Sequence, residues 1–266
     1  MMDTDAPPIT NPPPEHLRMR VSLTSDPASF DELGHHAVVD LKRALSGIGR
    51  PLNTFRKLLD WGCGPGGTVK HLPGHFPGEI HACDIDREAV EWVGANLPFV
   101  RAVVTGEWPP LPYADGEFDL IINHSVLTHL DEAHQDAWLP ELRRVLSSGG
   151  VLVLTVHGTF SQEFWVEHLP RDEPGRDERI ATMYRTVDRQ GIYFMQDDAW
   201  AADFPTYYQN TFHSPWYVFE HWSRFMEIAA YIPRGSLSLQ DMVVLRHKRA
   251  EVPERTFPQA AVRSPA

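Results

Sequence analysis

The spacing of apolar positions changes several times along the chain. Between 30 and 45 it is helical, with Leu33, Val38, Leu41 and Leu45 on one face, and predicts an N-terminal helix that caps a sheet. From 56 onward, short apolar runs alternate with amphipathic ones: strand 56–61, helix 66–72, strand 79–84, helix 87–95, strands 99–104 and 118–123, helix 131–146 and strand 150–156. That alternation predicts an α/β fold, a Rossmann-like doubly wound sheet, mostly parallel, with helices on both faces as an α/β/α sandwich. Ligands of such sheets bind at the carboxyl ends of the strands, where the strand order reverses. Helix 131–146 reads as scaffold, with Ala137, Leu142 and Val145 toward the sheet.

The rhythm breaks at 158–213, a stretch that mixes charges with aromatics, shows no clean strand and reads as an insertion on the substrate side. Regular structure returns at Ser214-Pro215, a helix-start signal leading into 216–224. Strands 225–232 and 240–247, separated by Pro233-Arg234-Gly235-Ser236, form an antiparallel C-terminal hairpin. The proline-rich segment 1–14 and the tail 249–266 are expected to be disordered, leaving one domain over 15–248.

Charge and cysteine content narrow the function. With 24 basic against 36 acidic residues the net charge is -12, unsuited to neutralising nucleic-acid phosphates and compatible with a small-molecule partner. Neither a signal peptide nor a membrane-length apolar run is present, so a cytoplasmic protein with no membrane contact is expected. Cys63 and Cys83 are read as reduced packing residues, and no metal site is expected.

The candidate chemistry begins at the end of the first strand, in Asp60-Trp61-Gly62-Cys63-Gly64-Pro65-Gly66-Gly67. Gly62, Gly64 and Gly66 let a ligand lie against the main chain. Gly62, Gly64 and Gly67 also satisfy G-x-G-x-x-G, so the loop alone leaves NAD open. Asp60 favours a ligand with an ammonium or sulfonium charge over a pyrophosphate, and S-adenosylmethionine is the donor inferred. Asp84 follows at the spacing that brings a carboxylate to a ribose, Ile85 beside it covers an adenine face, and Asp86 caps the next helix. His157 at the end of the fifth strand and His213 are candidate bases, at near-neutral pKa, for a hydroxyl nucleophile. His124 is a third candidate, whereas His129 reads as a helix-start histidine. Aromatics crowd the second half, among them Trp165, Trp200, Tyr207, Tyr208 and Phe212, as walls for a sugar or planar acceptor or as extra core.

Gly106-Glu107-Trp108-Pro109-Pro110-Leu111-Pro112-Tyr113, then 115–123, Arg143 to Gly150 and Thr155-Val156-His157-Gly158 resemble the class I S-adenosylmethionine-dependent methyltransferases, in particular their small-molecule branch. The resemblance covers about 55–158 and implies S-adenosylmethionine as cofactor. It implies that the loop from Asp60 to Gly66 wraps the methionine part, that Asp84 holds the ribose and that Glu107, where the family more often has aspartate, meets the adenine amino group beside Trp108. Asn123 and His124 fall where it places the methionine end and the methyl group. The expected reaction is O-methylation of a hydroxyl on a sugar or other polar metabolite. The alternatives are a catalytically silent binding subunit or an NAD-dependent oxidoreductase, and the proline-leucine-proline segment argues against the latter.

Overall fold

A computed structural model describes residues 11–22, 24–196 and 205–248. The segments 1–10 and 249–266, read from the sequence as disordered, lie outside the described residues, as does Trp200. Pro13 and Pro14 accept hydrogen bonds from Arg18 and Leu17 of the first helix, α1 (Glu15–Ser22). α2 (Pro27–Gly47) starts earlier than its apolar spacing implies, because the Asp26 carboxylate accepts from the Ala28 and Ser29 amides and Pro27 opens the first turn.

The main sheet contains β1 (Lys57–Trp61), β2 (Glu79–Asp84), β3 (Val100–Val104), β4 (Phe118–Ile122), β5 (Leu146–Val156), β8 (Glu227–Ser236) and β9 (Gln240–Arg246), in the order β3-β2-β1-β4-β5-β9-β8. The first five are parallel, and β9 runs antiparallel between β5 and β8. The central strands are apolar on both faces. Leu58, Leu120, Ile122, Val151 and Val153 pack toward α2 and α3 (Arg87–Asn96). Their neighbours Leu59, Ile121, Leu152 and Leu154 pack toward α4 (Glu132–Val145). Strand order reverses between β1 and β4, so the carboxyl ends of these two strands frame a crevice.

Four local expectations are corrected. The segment 66–72 is not an α-helix but turns and a 3-10 turn over Val69–His71, since Gly66 takes φ +78°. The stretch 158–213 does contain regular structure: α5 (Thr159–His168), α6 (Arg176–Gln190) and the strands β6 (Ile192–Met195) and β7 (Asn210–His213), which pair antiparallel. These strands have only four residues each and pair across a long separation, so alternation is too brief to read. The C-terminal hairpin turns at Leu237 and Ser238, both at positive φ, because β8 runs on through Pro233 at a register shift. As the outer strand of the sheet, β8 tolerates the missing amide. After Ser214, a short α-turn (Pro215–Tyr217) passes into a π-helical turn (Val218–Trp222) in place of a continuous helix.

Candidate active site

The glycine loop leaves β1 and is tied at once to β2, with the Gly62 and Cys63 amides donating to the Cys83 carbonyl at 2.8 and 3.0 Å. Gly62 takes φ +80°, and a Cβ there would lie 2.2 Å from Val126 Cγ2, so this position accepts no side chain. The N-terminal helices close over the loop. A Cβ on Gly34 of α2 would sit 2.0 Å from the Gly67 carbonyl oxygen, and Val21 of α1 lies over Gly64. Arg20 of α1 pairs with Asp86 at 2.8 Å and Glu88 at 3.1 Å.

Two carboxylates face this loop. Asp84 accepts the Gly64 amide at 2.7 Å and the Asp86 amide at 2.8 Å, and Asp86 caps α3. Asp60 is 2% exposed and accepts no side-chain hydrogen bond among the described residues. Burial, with the Asp84 charge added, pushes its carboxyl up to about 7. A buried carboxyl whose nearest charge is another carboxylate fits a ligand that brings a positive charge and opposes a pyrophosphate. The residues present therefore fit S-adenosylmethionine: Asp60 toward its cationic groups, the loop backbone toward its methionine part and Asp84 toward its ribose.

Both carboxylates open on one cavity of about 1330 Å³. Near the loop it is lined by Ile85, Glu107, Leu130, Trp138 and Tyr207. Glu107 Oε1 lies 3.2 Å from Nε2 of His134, whose Nδ1 meets Asp131 at 2.7 Å. The His134 ring is stacked between Trp108 and Tyr207, at centroid distances of 3.8 and 4.4 Å. Trp108 thus touches the cavity wall through His134 and does not itself line it.

Away from the loop the cavity is walled by the ends of β4 and β5, by α5 and by the β8–β9 turn. His124, His129 and His157 all line it. His124 Nδ1 is 3.2 Å from Ser236 Oγ. His129 Nδ1 is 2.9 Å from the Gln209 carbonyl, which can only accept, so that nitrogen carries the proton and Nε2 the lone pair. Tyr208 stacks on the His129 ring and His157 meets it edge-on. Burial holds His124 and His129 down at about 4. For His157, expected near neutrality, burial together with His129 and His213 depresses the pKa well below the ordinary range. All three rings are uncharged at neutral pH.

Besides Trp108, three sequence candidates lie off the wall of this cavity: Gly66, Asn123 and His213. Asn123 is buried between strands, with Nδ2 donating to the Trp61 carbonyl at 2.6 Å. His213 is fully buried behind the wall, with Nε2 3.0 Å from Gln135 Oε1 and its pKa lowered to about 3 by desolvation. Conversely, His129, His134 and Gln240 carry more of the site than their sequence context suggests. Asp131 and His134 share a helix start, yet only the fold brings Trp108 and Tyr207 to that histidine.

Residues 59–154, from the first parallel strand to the fifth, match a family model described as a methyltransferase domain. Over these residues the chain is similar to methyltransferase domains. Curated relatives of this domain include ajmaline N-methyltransferase of Rauvolfia serpentina, 28% identical over 108 residues, which are 38% of this chain and 36% of the relative. Malonyl-[acyl-carrier protein] O-methyltransferase of Geobacter sulfurreducens is 31% identical over 110 residues, 38% of this chain and 39% of the relative. The chain thus spans well under half the length of these relatives. A solved methyltransferase of Clostridium acetobutylicum ATCC 824 shares the fold, with a TM-score of 0.56 at 11% identity, over 87% of this chain and 96% of its own. No helix among the described residues is long and apolar enough to cross a membrane.

Proposed function

We propose that this protein transfers a methyl group from S-adenosylmethionine to a hydroxyl oxygen of a small molecule. One observation carries the reading: a single cavity joins the Asp60, Gly62 and Asp84 cradle to a chamber walled by uncharged histidines. When bound, S-adenosylmethionine supplies a methyl group already activated by its sulfonium. The protein's own tasks are then to hold, align and exclude water. Asp60 offsets positive charge, Asp84 receives hydroxyls on a carboxylate fixed by two backbone amides, and α1 and α2 close the loop from solvent. The proton lost by the acceptor hydroxyl passes to one of the uncharged histidines of the chamber wall, His157 or His129, whose rings meet edge-on. The two buried free cysteines suit the reducing cytoplasm we assign to it.

Thermal unfolding with S-adenosylhomocysteine tests the donor half directly. A ligand well above its dissociation constant must raise the unfolding midpoint. No shift at millimolar ligand would falsify the reading. Asp84→Ala is expected to weaken that binding by about 1.5 to 3 kcal/mol, the range for a hydrogen bond to a charged group.

A further inference from the structure

The cavity is too large for a donor alone. At about 1330 Å³ it exceeds the roughly 300–1000 Å³ that one drug-sized ligand fills, so the acceptor is itself sizeable. Its chamber is flat-walled: Tyr208 stacks on His129, and Phe164, 39% exposed, stands on α5 beside Trp165.

Charge and hydrogen bonding restrict what fits. Among the described residues lining this half, the carboxylate and guanidinium groups are Glu173 and Arg179, which pair with each other at 2.8 Å. An acceptor carboxylate or phosphate would be buried against neutral rings and would pay its desolvation. Most polar side chains on the wall are already engaged, Ser161 Oγ with the Leu239 carbonyl and His124 with Ser236. Gln240 differs. Its Nε2 donates to Ser125 Oγ at 2.9 Å, which in turn meets Thr128 Oγ1 at 3.0 Å. Its Oε1 is buried without a partner, on a residue 7% exposed that lines the chamber. A ligand O–H is the group that would complete it. A sugar, with a hydroxyl on nearly every carbon, would leave most of its polar atoms unmatched against the phenyl and indole faces.

We propose that the acceptor is an uncharged, ring-bearing alcohol or phenol with a second hydroxyl that donates to Gln240 Oε1. This rests on the methyl-transfer reading above, and the test separates the two. Protein saturated with S-adenosylhomocysteine is titrated calorimetrically with naphthalene-2,6-diol, 2-naphthol, 6-hydroxy-2-naphthoate and maltose. The diol is expected to bind about fivefold more tightly than 2-naphthol, and at least about tenfold more tightly than the carboxylate or the sugar. Gln240→Met, which keeps the length and removes the polar atoms, is expected to erase the diol's advantage over 2-naphthol. Equal or tighter binding of the carboxylate or maltose overturns the acceptor class, and so does a diol advantage that survives in Gln240→Met. If that variant does not fold, the wild-type ratio still decides, a ratio of one being fatal. Failure of S-adenosylhomocysteine itself to bind sinks the donor reading instead.

Discussion

The two halves of the cavity are built from different materials. The donor half is main chain and short acids at the ends of adjacent parallel strands: Asp60, Gly62 and Gly64 from the β1 loop, Asp84 from β2. Its polar contacts are short-range in sequence, as when Gly64 meets Asp84 twenty residues on. The acceptor half is side chain, drawn from distant segments, as when His129 bonds Gln209 and His124 meets Ser236. A main-chain site tolerates almost no substitution yet can be described in a few residues. A side-chain site can be rebuilt piecemeal while the scaffold stays, which fits a fold that hosts many acceptors.

The sharpest break between the halves comes from Gly62→Val. The left-handed backbone there costs a non-glycine residue about 1–2 kcal/mol, and overlap with Val126 adds about 1–3 kcal/mol. Calorimetry should find S-adenosylhomocysteine binding lost, with the unfolding midpoint lowered. A substitution in the acceptor half that changes as many carbon atoms, Phe164→Leu, which removes three where Gly62→Val adds three, should leave donor binding intact.

His129→Ala acts on the other half. Removing a base costs about 10² to 10⁴ in rate, so kcat should fall by roughly a hundredfold while the Kd for S-adenosylhomocysteine holds. His157→Ala should lower the rate at least about tenfold. His213→Ala is the control. Its ring is sealed behind the wall against Gln135 and Trp222, so the loss should appear in unfolding midpoint and not in rate. Equal rate losses for His129 and His213 would mean that neither loss is chemical.

These contrasts mirror how much of each half was legible in the sequence. Asp60, the glycines and Asp84 could be read because a loop between parallel strands fixes their relation within about two dozen positions. The parallel sheet was readable for the same reason, its strands being continuous apolar runs. Gln240 and His129 carried no such signal. Their roles depend on β9 lying beside β5 and on residue 209 returning to the end of β4, both non-local. His213, supplied by the insertion, looked equivalent to His157 in the sequence; in the fold a backbone bond joins the two, yet their side chains part, one to the wall and one to the core.

A pH series separates the halves again, with a smaller effect. The Asp60 carboxyl, raised to about 7, is protonated just below neutrality, whereas His129, at about 4, stays uncharged there. Binding of a cationic donor needs the ionised form, so affinity should fall about tenfold from pH 8 to pH 6, with up to one proton released at the lower pH. Calorimetry in two buffers of different ionisation enthalpy counts that proton. For the unliganded protein the sign is reversed. A carboxyl raised above its unfolded value stabilises at low pH, and that contribution is lost as pH rises from about 4 to about 7. Asp60→Asn should therefore melt higher than wild type at pH 8 without ligand, and should bind the donor weakly with no pH dependence. A wild-type affinity that is flat from pH 8 to pH 6 would place the proton elsewhere.

The smallest effect is expected at the cover of the donor half. Arg20 reaches Asp86 and Glu88 from α1, but its side chain is 43% exposed and both partners face solvent. Exposed pairs of this kind contribute about 0–1 kcal/mol and are screened by salt. Arg20→Ala should accordingly weaken S-adenosylhomocysteine by no more than about fivefold at low ionic strength, with the difference gone at 1 M salt. What holds the cover is packing, above all the contact of Gly34 with the Gly67 carbonyl and of Phe30 beside it. Gly34→Ala, which places a methyl 2.0 Å from that oxygen, should therefore reduce donor affinity more than Arg20→Ala does, and salt should not rescue it. Were the order reversed, α1 and α2 would be held to the loop by charge, and the donor half would be less rigidly closed than its backbone contacts imply.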